Sequence, residues 1–135
     1  MKKRRDFIKT SLLTSAGLVA AAVLPASATD NLKESIFTYS QGHQGRWEGK
    51  AGSHAPVITI DGNKITMETK HGMSEAHYIV KHSLLDKNGK VLGEQIFFPH
   101  DKKAISTFVV EGKYNELYAL SFCNVHDLWV TEFSI

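Results

Sequence analysis

This 135-residue sequence predicts an all-β fold, an immunoglobulin-like β-sandwich of about seven strands, on three observations. After Ala55, short runs rich in β-branched and aromatic residues alternate apolar with polar side chains at period two. Turn chemistry separates those runs about every eight to twelve residues. A long amphipathic helix is absent from the same stretch.

Val57-Ile58-Thr59-Ile60 and Lys64-Ile65-Thr66-Met67-Glu68 flank Asp61-Gly62-Asn63, a hairpin signal because Gly and Asn accept positive φ. Residues 77–85 and 91–98 flank Asp86-Lys87-Asn88-Gly89-Lys90 and repeat the device with Asn-Gly in the turn. Three further strands are expected at 104–110, 117–123 and 128–134. Residues 29–50 are polar, with Ile36, Phe37 and Trp47 as scattered anchors, and read as a linker with a short helical turn around 31–37. The domain proper is expected over 51–135.

Residues 1–28 read as an export signal. Lys2, Lys3, Arg4 and Arg5 form a positive n-region, residues 12–24 are an apolar run, and Pro25-Ala26-Ser27-Ala28 ends in the small-x-small pattern of a cleavage site. The apolar run falls short of the roughly 20 residues a spanning helix needs, so no membrane insertion of the mature chain is expected. Arg4-Arg5-Asp6-Phe7-Ile8-Lys9 resembles the twin-arginine export signal, which implies a folded cargo and a periplasmic or other extracytoplasmic destination. An ordinary secretory leader is the alternative.

The formal charge of +2 belongs to that leader, which holds five of the 16 Lys/Arg and one of the 14 Asp/Glu. The remaining roughly 107 residues carry 11 basic against 13 acidic groups, a net −2. That balance argues against a nucleic-acid partner and leaves enough chain for one core.

Cys123 is the only cysteine and closes no intramolecular disulfide. It can be buried filler, a reactive thiol or a metal ligand. His126, three residues on, and a surplus of histidines favour the ligand reading: the seven are His43, His54, His71, His77, His82, His100 and His126. One soft sulfur with several imidazoles suits a redox-active transition metal better than Ca²⁺ or Mg²⁺, which prefer oxygen. His71 and His77 would need an irregular loop to converge.

Three segments carry a resemblance. Ser53-His54-Ala55-Pro56-Val57-Ile58, His71-Gly72-Met73-Ser74-Glu75-Ala76-His77-Tyr78-Ile79 and the run from Leu117 to Trp129 containing Cys123-Asn124-Val125-His126 resemble the signatures of the superoxide reductase family, neelaredoxin and the iron domain of desulfoferrodoxin. The resemblance runs from about Trp47 to the C-terminus and implies a mononuclear iron centre, Fe²⁺/Fe³⁺, with imidazoles from His54, His71, His77 and His126 and the Cys123 thiolate. It assigns no ligand role to His43, His82 or His100. Four neutral imidazoles and one thiolate leave Fe²⁺ a formal charge of +1, attractive to an anion such as superoxide, and thiolate donation favours the electron transfer. Zinc would compete by affinity, but it prefers four tetrahedral ligands.

The sequence departs from the family where Glu-Lys usually precedes the first ligand histidine; here Gly52-Ser53 stands. Lys50 and Glu48, in a slightly longer loop, are the candidates to supply a positive guide for superoxide and a carboxylate ligand; solvated loop charges are the alternative. Gly72 replaces the usual proline, and Asp127 the usual glycine after His126, where it would need a left-handed backbone. Backbone N–H groups of Asn124 and Val125 are expected near the sulfur.

The reading is therefore an exported superoxide reductase that yields hydrogen peroxide and is re-reduced by an external, unidentified donor. Its relatives form dimers and tetramers, which makes a homo-oligomer an expectation. The rivals are a non-catalytic periplasmic iron or electron-transfer protein, and an immunoglobulin-like interaction module whose Cys123 binds no metal.

Overall fold

A computed structural model describes residues 37–135. The export signal expected at 1–28, and all but the last residue of the helical turn expected around 31–37, lie outside the described residues. Eight strands follow one another: β1 Thr38–Tyr39, β2 Val57–Asp61, β3 Lys64–Thr69, β4 Ile79–Asp86, β5 Val91–Ile96, β6 Ala104–Val109, β7 Leu117–Cys123 and β8 Asp127–Phe133. The seven expected strands all form, with ends displaced by at most two residues. Among the described residues, no helix is long and apolar enough to cross a membrane.

The strands make two sheets, β1-β8-β7-β4-β5 and β2-β3-β6. Gly62 takes φ 60° in the β2–β3 hairpin, whose last pair is Asp61 with Lys64. In the β4–β5 turn Asp86 Oδ1 accepts from the Asn88 and Lys90 N–H groups at 2.8 and 2.9 Å, and Gly89 takes φ 80°. Both turns use the residues that made them readable.

Ile65, Met67, Leu84, Leu117 and Ala119 are fully buried between the sheets. Burying one large apolar side chain there contributes about 1.5–3 kcal/mol. Along β7 the buried positions run Leu117, Ala119, Ser121, Cys123, so the inner face turns from apolar to polar to sulfur toward one end of the sandwich. A bulge in β4 between Ile79 and Lys81 lets both Ile79 and His82 face inward although they differ in parity.

Gly93 of β5 lies against Phe108 of β6, whose ring an added methyl group would overlap. Gly93→Ala is expected to destabilise the protein by about 1–3 kcal/mol, read as a lower denaturant midpoint at unchanged slope.

The described part of the segment read as a linker packs as part of the domain. β1 pairs in parallel with β8 through Thr38–Leu128 and Tyr39–Trp129, and Tyr39 and Ala51 are buried against Trp129. A 3-10 turn at Gly45–Trp47 and one helical turn at Ala51–His54 complete it. The physical reason is the large Trp129 indole, which needs apolar cover that this segment supplies.

Candidate metal centre

Three connections at the polar end of the sandwich deliver the five side chains. The helical turn Ala51–His54 buries His54, and the Pro56 carbonyl behind it accepts from Thr131 Oγ1 of β8 at 2.7 Å. The loop from β3 to β4 carries His71 and His77 and is held by paired backbone bonds between Ser74 and His77 at 3.1 and 3.2 Å. The β7–β8 turn carries Cys123 and His126.

Asn124 fixes that turn against the His77 loop. Its Oδ1 accepts from the Tyr78 N–H at 3.0 Å and its Nδ2 donates to the Ala76 carbonyl at 3.2 Å. The Asn124 N–H donates to the Tyr78 carbonyl, not to sulfur. The N–H that reaches Cys123 Sγ is that of His126, at 3.3 Å. The expectation named Asn124 and Val125; the Asn124 amide is instead committed to closing the sheet, and the donor to sulfur is His126.

The four imidazoles form a closed circuit. Ring centroids stand 4.6 Å apart for His54 and His71, 4.3 Å for His71 and His77, 4.7 Å for His77 and His126, and 4.6 Å for His126 and His54. His54 and His77 face each other across it at 5.9 Å. His77 Nε2 lies 3.0 Å from His71 Nε2, 2.9 Å from His126 Nδ1 and 3.1 Å from Cys123 Sγ. One atom of each of His54, His77, Cys123 and His126 lies within 4.8 Å of the others.

The outer nitrogens fix which atoms point inward. His54 Nδ1 sits 3.0 Å from the Lys50 carbonyl, which can only accept, so Nδ1 carries the proton and Nε2 presents its lone pair. Ser53 Oγ lies 2.8 Å from the same Nδ1. His71 Nδ1 likewise bonds the Gly72 carbonyl. Burial is the largest cause that lowers the pKa values of His54, His71 and His126, taking His54 to about 4, so these rings are neutral and their lone pairs available at neutral pH.

The donor set fits a transition-metal ion. His54 Nε2 is buried with no hydrogen-bond partner, a loss that a cation would repair. His77 Nε2 faces two nitrogens and a sulfur and can share only one proton among them. Donors about 2.1 Å from one ion and at right angles stand about 3.0 Å apart, the spacing seen around His77.

The remaining candidates lie elsewhere or play other parts. Lys50 is exposed at the start of the helical turn, and its positive charge is among the causes lowering the His126 pKa. Glu48 is exposed and lines a hollow of about 350 Å³ with Gln41, Gly42, His43, Gln44 and Gly45, none of which belongs to the cluster. His100 stacks on Phe98 at the surface. His82 is fully buried among hydroxyls, with Nε2 2.8 Å from Thr69 Oγ1 and Nδ1 2.8 Å from Ser106 Oγ.

Sequence reading overlooked Arg46. Its guanidinium lies over the Trp47 ring, 4.6 Å from the centroid, and bonds Asp127 Oδ2 at 2.6 Å. The Trp47 indole N–H donates to the same oxygen at 3.0 Å, and these bonds hold the Asp127 carboxyl below its ordinary pKa. Only the Arg-Trp adjacency hinted at this contact.

No curated protein matches the chain. Among solved structures it is similar to a superoxide reductase (1Fe-SOR) from Giardia intestinalis, at 28% identity over 62% of this chain and 98% of that one, TM-score 0.56. A superoxide reductase solved in the oxidised state is 26% identical over 73% and 96% of the two chains, TM-score 0.57. The neelaredoxin-type superoxide reductase of Ignicoccus hospitalis, 23% identical over 75% and 97%, shares the fold at TM-score 0.59. The desulfoferrodoxin family model matches residues 45–132, from the 3-10 turn through the helical turn, the loop of His71 and His77 and the Cys123-His126 hairpin into β8, and with that span matched the chain belongs to the desulfoferrodoxin family.

Proposed function

We propose that this protein is a superoxide reductase, which adds one electron and two protons to superoxide and releases hydrogen peroxide. The observation that carries the proposal is the closed circuit of four imidazoles with the Cys123 sulfur against its His77–His126 edge. His54, His71, His77, His126 and Cys123 would hold one iron, alternating between Fe²⁺ and Fe³⁺. Iron bound there would supply the single electron, and an external donor suited to an extracytoplasmic setting would restore it.

The chain's own residues do the rest. The carbonyls of Lys50 and Gly72 hold the outer protons of His54 and His71, and so keep the inner nitrogens basic. Burial of His54 and Cys123 limits water on one side, while the exposed Lys50 adds positive potential from the His126 side. Glu48 lines its own hollow with no residue of the cluster, so no ligand role is assigned to it, and steering is assigned to Lys50. Export by the twin-arginine route, supported by Arg4-Arg5-Asp6-Phe7-Ile8-Lys9, would allow iron to be loaded before the folded domain reaches the periplasm.

The test is metal analysis and an absorption spectrum of purified protein, followed by rapid mixing with superoxide. One iron per chain, a visible thiolate-to-iron band on oxidation and near diffusion-limited decay of superoxide are expected. Iron with slow decay would favour the non-catalytic iron or electron-transfer reading, to which Gly52-Ser53 in place of the family's charged pair lends weight. No iron would sink both.

Lys50→Ala is expected to slow the bimolecular step by about three- to ten-fold at low salt and to flatten its salt dependence. Unchanged rates across ionic strength would remove Lys50 from the reaction.

A further inference from the structure

Asp127 is the only residue other than glycine with positive φ among the described residues, at 64°. It follows the three-residue turn Asn124-Val125-His126 and pairs with Cys123, the position where such hairpins ordinarily place glycine. A left-handed aspartate persists where its surroundings over-determine it. Here both bonds to its carboxylate come from one distant segment: Arg46 Nη2 and the Trp47 indole N–H reach the same Oδ2 from eighty residues away in sequence.

That segment bears directly on the cluster. The Trp47 ring meets the His126 ring edge-on at 4.6 Å between centroids, and Trp47 O accepts from the Lys50 N–H at 3.0 Å. Lys50 O in turn holds His54 Nδ1. On the far side of His126, its carbonyl accepts from the Trp129 indole N–H at 2.9 Å. One carboxylate therefore ties the segment that presents His54 to the turn that presents His126.

We propose that Asp127 is a positioning residue, a latch through Trp47 and Arg46 that fixes the His126 imidazole and the Lys50–His54 turn relative to each other. The inference rests on the iron-site reading above for its consequence and on the hydrogen bonds alone for its geometry. Glycine at this position would satisfy the backbone better yet lose the latch. Asparagine would keep a tolerated left-handed backbone and one acceptor for the indole.

The test compares Asp127→Gly and Asp127→Asn with the parent protein by exchange of the two indole N–H groups and by release of Fe²⁺ to a chelator. In the glycine variant the Trp47 indole should exchange, and iron should leave, about ten-fold faster, in the range expected for loss of a partner behind a ligand. The Trp129 indole should stay within about two-fold of its parent rate, and asparagine should hold both readouts within about three-fold, given the retained acceptor.

An unchanged Trp47 indole in Asp127→Gly, iron release unaltered by its exposure, both indoles loosening together, or asparagine behaving as glycine would each overturn the latch. Superoxide turnover enters none of these readouts. A parent protein that shows the expected indole pattern but binds no iron or consumes no superoxide would sink the proposed function and leave the hydrogen-bonded latch standing.

Discussion

Cys123→Ser is expected to yield a folded protein whose affinity for iron falls more than 100-fold and whose oxidised form lacks the visible thiolate band. Altering groups behind a ligand commonly costs about 10- to 100-fold in metal affinity, and removing the sulfur itself should exceed that. The fold should survive. Cys123 is 1% exposed and packs with Ile79, Phe97 and Ala104, so a hydroxyl there is penalised, but the His126 N–H remains as a donor to it. Burial of a partly satisfied hydroxyl costs about 1–3 kcal/mol, less than a domain of this size possesses.

Iron content after passage over a chelating resin, the absorption spectrum and a thermal melt check all three parts. Full iron with an unaltered band would contradict the assignment of Cys123. A variant that does not fold would leave the same question to His54→Ala. That imidazole contributes a buried unpartnered Nε2 whose only evident use is a cation, and its loss should release iron in the same assay.

The strands were legible because their turns are chemical: Asp61-Gly62-Asn63 and the Asn88-Gly89 pair declare hairpins wherever they fall. β1 was not, since two residues form no pattern and Thr38–Tyr39 become a strand only by pairing with β8. The helical turn at Ala51–His54 is likewise too short to show a period. The five cluster residues stood out by residue type and by resemblance; their convergence depends on the bulge in β4 and the Asn124 clamp, which no spacing discloses.

His82 shows where pattern reading fails for a different reason. Thr69, Ser106 and Ser121 occupy inward positions on β3, β6 and β7, which period-two alternation assigns to apolar side chains, so a polar residue there reads as facing solvent. Tertiary pairing turns them into mutual partners. Thr69 Oγ1 bonds both His82 Nε2 and Ser121 Oγ, the latter at 2.7 Å, and His82 Nδ1 bonds Ser106 Oγ. This network lies between the apolar core and the packing around Cys123, and His82 touches Phe97 of the latter edge-on.

That burial carries the second large expected effect, a steep loss of stability in acid. His82 has its pKa lowered from 6.5 to about 4 by burial, so between those values the unfolded chain binds a proton that the folded one refuses. Stability therefore rises with pH across this window and falls as pH drops from about 6.5 toward 4. At about 1.36 kcal/mol per pH unit the decline amounts to about 3 kcal/mol from this residue alone. Burial lowers the pKa of His54 to about 4 as well, so the comparison with His82→Gln isolates the contribution of His82. The variant should be less stable than the parent at pH 7 by about 1–3 kcal/mol, because the Thr69 and Ser106 hydroxyls lose well-placed partners. With no imidazole to charge, its denaturation free energy should decline less steeply, and the gap between the two proteins should close or reverse by pH 4. Parallel curves in urea titrations at pH 7, 5.5 and 4 would show that His82 does not titrate against the fold, and would place acid sensitivity in the metal cluster instead.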